Sequence, residues 1–180
     1  MDEERRQKIM KQIAYATALF MRLGYNNSTQ LDGIHTLQVC ESFCNNHGSV
    51  WFSTDSLTTG MSEKRRVEFI NAIKKEYVVQ IYFAIGKKGG GNNDIQYRGK
   101  VVDIRTIADG IGSPDKTLTP DSWKDSRNKI WIKIRELAPC PELTANDFIV
   151  VSTGNVLAKA IANSQYHFGY IKKRYRSDTN

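Results

Sequence analysis

The sequence predicts an α+β fold, a mixed sheet or small barrel carrying helices at one end or face. Helix-period and strand-period segments come in blocks instead of alternating strictly. The most β-prone runs, residues 77–85, 95–104 and 130–137, lie in the middle of the chain. At 180 residues the chain is also near the usual size of one domain, long enough to bury a core without disulfides or metal.

Taken in order, residues 4–23 read as a helix. Ile9, Ile13, Phe20 and Leu23 recur at three- and four-residue steps, with Arg5, Arg6, Lys8 and Lys11 elsewhere, and Gly24 ends the pattern. A second helix is expected over 32–46, with Ile34, Leu37, Val39 or Cys40, and Cys44 on its apolar face. The two helices form a predicted N-terminal cap, residues 1–48, ahead of a strand-rich part, residues 49–176, in one compact unit. Val50-Trp51-Phe52-Ser53 is a short strand. Residues 63–76 are helical, with Val67, Ile70 and Ile73 inward.

Tyr77 to Ile85 is rich in β-branched and aromatic residues and reads as a strand. The glycine-rich stretch 86–94 follows as a flexible loop, and 95–104 returns as the second strand of a hairpin. Residues 106–125 carry repeated turn signals. Ile130 to Leu137 alternates, with Ile130, Ile132 and Ile134 on one face and Trp131, Lys133 and Arg135 on the other. A last strand is expected over 148–152 and a helix over 155–164, before the basic stretch Lys172-Lys173-Arg174-Tyr175-Arg176.

Composition narrows the function classes. No apolar run is long enough to cross a bilayer, and the N-terminus lacks a signal-peptide design, so a cytoplasmic location is expected. Cys40 and Cys44, near His35 and His47, raise the question of zinc, but their spacing fits no common zinc pattern and small helical cysteines pack well in cores. No metal or cofactor is expected. The formal charge is +7 with a pI near 9.3, a balance that attracts polyanions.

Motifs for catalysis are absent or incomplete. Lys87 and Lys88 precede the glycines of the 86–94 loop and a strand follows, the reverse of a phosphate-binding loop. There is no Gly-x-Ser-x-Gly elbow and no His-Glu-x-x-His pair. Pro114-Asp115 and Pro120-Asp121 echo the start of a metal-dependent nuclease motif, but position 131 holds Trp where a second acid would stand before Lys133. Aromatic and basic residues interleave instead. Trp51, Tyr82, Tyr97, Trp123 and Trp131 lie in or beside predicted strands, with Arg98, Lys100, Arg127, Lys129, Lys133 and Arg135 among them. Rings stack on bases while cations hold phosphates. Lys87 and Lys88 are further candidates for the nucleic-acid backbone.

The order of these segments resembles EVE and related PUA-like domains, pseudobarrels of the superfamily that includes YTH readers. The resemblance rests on Val50-Trp51-Phe52-Ser53-Thr54, Ile81-Tyr82-Phe83, Arg98-Gly99-Lys100-Val101-Val102-Asp103-Ile104, Pro120-Asp121-Ser122-Trp123 and Ile130-Trp131-Ile132-Lys133-Ile134. It spans roughly residues 50–155, and the N-terminal helical pair lies outside it. It implies a reader domain that flips a modified base into a pocket between strands, such as those at the N-terminus of McrB-like subunits of modification-dependent restriction systems. Trp51, Phe52, Ser53 and Thr54 match the family's opening stretch, with Phe-Ser-Thr in place of its usual Lys-Ser-Glu-Pro; Tyr82, Tyr97 and Trp123 complete the expected pocket. The expectation is a DNA-binding module with no catalytic centre, working alone or joined to a larger protein with a motor domain. An RNA reader of the same fold, a small nuclease, and an interaction module using the N-terminal helices are the alternatives.

Overall fold

The computed structural model describes residues 2–4, 13–53, 60–163 and 166–175. It is a mixed α+β fold: one seven-stranded sheet and three helices among the described residues. The strands are β1 (Ala18–Leu23), β2 (Val50–Phe52), β3 (Val79–Ile85), β4 (Asp94–Ile111), β5 (Asn128–Pro139), β6 (Phe148–Val150) and β7 (Phe168–Lys173). They run in the order β2-β5-β4-β3-β1-β7-β6, all antiparallel neighbours except β1 and β3. The sheet is open.

A parallel pair needs a crossover, and this one carries the first two helices, α1 (Gly33–His47) and α2 (Glu63–Lys74). Asp32 caps α1 by accepting the His35 N–H, and Gly48, at φ 84°, closes it in the left-handed region that glycine enters freely. Ser62 caps α2 in the same way through Arg65 N–H. Leu37, Cys40 and Cys44 of α1 and Phe69 and Ala72 of α2 join the larger core cluster with Leu19, Met21, Ile81, Phe83, Ile132 and Ile134. On the other side α3 (Leu157–Asn163) packs Leu157 and Ile161 against Phe20, Tyr82, Phe148 and Ile171. Val67, expected inward, is exposed; Phe69 and Ala72 take the buried face of α2.

The N-terminal helix is corrected over residues 13–23, and residues 5–12 of that expectation lie outside the described residues. Of residues 4–23, Ala18–Leu23 form a strand, and Tyr15 N–H bonds the Val78 carbonyl while Val78 N–H bonds that of Ile13. The reason is that β1 sits between β3 and β7 and is buried on both faces. A run that is apolar but for Arg22 satisfies a two-sided strand as well as a helix, and periodicity does not separate them. A division at residue 48 has no counterpart in this strand order, because β1 lies inside the sheet. Phe168–Lys173, of which only Lys172 and Lys173 were read from sequence, as the start of a basic stretch, is a strand that pairs with both β1 and β6.

The glycine loop is also tighter than expected. Lys87–Gly89 form a 3-10 turn, with Gly86 N–H bonded to the Leu23 carbonyl and Gly91 N–H to that of Gly86. A Cβ at Gly91 would collide with the Ile85 backbone, so the loop folds back onto the end of β3 only because no side chain stands there.

Candidate functional site

The rings expected to form an open base slot are inside the core. Trp51 keeps 4% of its surface exposed, Phe52 2%, Tyr82 1%, Tyr97 7% and Trp123 3%. Trp51 stands opposite Lys133 in the β2–β5 register, and the Lys133 ammonium lies 6.0 Å from its ring centroid. Ser53, also buried, donates to the Ile130 carbonyl at 2.6 Å. Tyr97 donates to Glu41 Oε2 at 2.9 Å, and Trp131 to the Ile111 carbonyl at 2.9 Å. Trp123 Nε1 is buried with no hydrogen-bond partner among the described residues. Thr54 lies outside the described residues. An aromatic side chain buries 150–250 Å² on average, so the interior gains several kcal/mol by keeping each ring. The predicted slot along β2 is therefore corrected to core packing.

The predicted cations separate into groups. Lys87 and Lys88 are exposed on the β3–β4 turn. Arg127 donates to the Gly110 carbonyl at 3.2 Å, and Lys129 lines a cavity of about 460 Å³ beside Met61, Ser62 and Thr106. Arg98 pairs with Glu142 at 3.4 Å and Lys100 with Glu136 at 2.8 Å. Among the described residues no cluster of three or more metal-capable side chains forms, and no helix is long and apolar enough to cross a membrane.

Tyr82, Arg98 and Lys100 are brought together, on a face the sequence did not single out. In the β3–β4 register Gln80 faces Lys100 and Tyr82 faces Arg98, and across β4–β5 Lys100 faces Arg135. Alternation puts Gln80 and Tyr82 on the side where Ala18, Phe20 and Phe148 form the smaller core cluster. α3 covers one end of that side. At the other end the chain entering β1 presents Ala14, Ala16 and Ala18, whose methyl groups leave space.

The result is a cavity of about 300 Å³. Gln80, Tyr82 and Phe148 line it with the three alanines, and Lys172, Lys173 and Tyr175 stand at its mouth. The Tyr82 and Phe148 rings lie 4.7 Å apart. Tyr82 donates its hydroxyl to Gln80 Oε1 at 2.6 Å. Burial pushes the Tyr82 hydroxyl up to about 12, against the lowering effect of Arg98. Lys172, Lys173 and Arg135 take part in no ion pair among the described residues. Tyr82 and Phe148, each 1% exposed, form the buried floor of this cavity, so a small flat polar group can enter against the Gln80 amide and the alanine methyl groups, with cations outside for a charged attachment.

Gln80, Phe148, Lys172, Lys173 and Tyr175 are additions to the expected set. The basic stretch 172–176 was the only sequence signal for any of them. No family model matches the chain, and neither a curated protein nor a solved structure matches it.

Proposed function

We propose that this chain is a nucleic-acid-binding domain that accepts one extruded base in the cavity between β1, β3, β6 and β7. The observation carrying this reading is the convergence of the Gln80 amide and two exposed lysines on one cavity of about 300 Å³ whose floor is the buried Tyr82 and Phe148 rings. The +7 charge of the chain supplies the long-range attraction for a polyanion. The amide reads the base edge, lysines hold phosphates, and neither needs a metal.

In this reading the curled sheet is the wall of a PUA-like pseudobarrel, in keeping with the segment order over residues 50–155. By the same resemblance the base is a modified one in DNA, and the domain serves as the targeting module of a modification-dependent restriction system with a larger motor partner. The base enters from the face bearing Lys172 and Lys173 instead of the β2 strand.

The test is fluorescence anisotropy with short DNA: a single strand, a perfect duplex, and duplexes with a mismatched or modified base, each across a salt series. Tighter binding to single strands and to the loosened base, with log affinity falling linearly against log salt, is expected. Absence of salt-dependent binding to any of these would refute the reading.

A further inference from the structure

We infer that Gln80 makes this cavity selective for bases whose edge carries a carbonyl oxygen in place of an exocyclic amino group. The inference rests on the nucleic-acid reading above and names the chemistry of its ligand. Glutamine alone has no such preference, because its side-chain amide offers both an acceptor and two donors. Here one half is already engaged. Tyr82 sits two residues along the same face of β3 and gives its hydroxyl proton to Gln80 Oε1 at 2.6 Å.

The direction of that bond is set by the surroundings. Arg98, opposite Tyr82 in the register, hydrogen-bonds its hydroxyl and can only donate, so the Tyr82 oxygen accepts on that side and its proton goes to Gln80. The hydroxyl also stays protonated throughout the neutral range, since burial raises it to about 12. The amide oxygen is thereby held against Tyr82 and the Nε2 hydrogens remain for a ligand.

The other polar side chains around the cavity act in the same sense. Lys172 and Lys173 carry donors and no acceptor. The Tyr15 hydroxyl is spent on Glu68 Oε1 at 2.9 Å, and Tyr175 stands exposed at the mouth. A base edge rich in acceptors finds partners here. An exocyclic amino group meets donors and is left with unpaired hydrogens, which costs affinity.

Uracil and cytosine separate the two chemistries at one ring position, since O4 of the first replaces the amino group of the second. The experiment measures binding of oligodeoxyuridylate and oligodeoxycytidylate of equal length at neutral pH, by anisotropy, to the full chain and to two variants. The full chain is expected to favour oligodeoxyuridylate by roughly tenfold, the discrimination that one well-placed polar contact provides. Gln80→Glu, whose free carboxylate oxygen accepts, is expected to weaken both and to reverse the order. Tyr82→Phe frees Oε1 to accept and is expected to shrink the ratio toward one, with circular dichroism confirming that both variants fold. Equal affinity of the full chain for the two oligonucleotides, or an unchanged ratio in both variants, overturns the selectivity while leaving nucleic-acid binding in place. Failure to bind either one overturns both.

Discussion

The rings of Phe52 and Phe83 meet edge to face with centroids 5.1 Å apart, although β5 and β4 lie between their strands in the sheet. In a flat sheet three strand spacings would hold them about 14 Å apart. The sheet therefore curls until β2 folds back over β3. That contact joins β2 to the larger core, in which Trp51 is buried as well.

If the curl depends on this contact, Phe83→Ala should be among the most damaging core substitutions. The side chain is fully buried, and a loss of about 3–5 kcal/mol is expected for deleting a buried phenyl ring. Urea unfolding monitored by tryptophan fluorescence measures it. A loss near 1 kcal/mol would show that the two edges approach without help from these rings.

The paired charge reversal Lys172→Glu and Lys173→Glu tests the cavity mouth. Both side chains are exposed, so stability should change little. Affinity for single-stranded DNA should fall, and the slope of log affinity against log salt should become shallower by roughly 0.7 per lost phosphate contact. The same reversal at Lys87 and Lys88, on the β3–β4 turn, should leave that slope nearly unchanged.

Two tyrosines make stability depend on alkaline pH. Tyr82 is raised to about 12 by burial first of all; Tyr97 is raised to about 12 by burial and then by its hydrogen bond to Glu41. Unfolded tyrosine loses its proton near 10. Between about 10 and 12 the unfolded chain has thus released protons that the folded chain keeps, so stability falls as pH rises through that window and is complete below it. Thermal unfolding should show a falling Tm from about pH 10 upward. Tyr97→Phe should flatten that decline relative to the unmodified chain, measured from its own value at neutral pH.

The three cysteines should be silent in the folded state. Cys40, Cys44 and Cys140 are all buried, burial raises the Cys40 thiol to about 12, and Cys140 is raised by burial and by its contact with Glu142. Thiolate is the reactive form. A chromogenic disulfide reagent should therefore label none of them until denaturant is added, and then all three. Prompt reaction of one thiol without denaturant would place it in an opening segment.

Sequence by itself determined the elements whose signals are local. Asp32 and Gly48 bracket α1, the β-branched run places β3, and the strict alternation of isoleucines places β5, because caps and two-residue periods act within a few residues. The net positive charge was legible for the same reason. Tertiary structure alone decided three other matters. β1 is a strand because β3 and β7 pair with it on both sides, where an apolar run suits either period. Trp51, Phe52, Tyr97 and Trp123 are core because they pack into the larger cluster with side chains from the helices and the other strands; an aromatic residue in a strand is equally suited to an interior or a binding surface until its neighbours are known. The cavity joins residues near 14–18, 80–82, 148 and 172–175, which strand pairing brings together from distant parts of the chain. No window of sequence contains that pairing, since it depends on which edges find each other as the chain collapses.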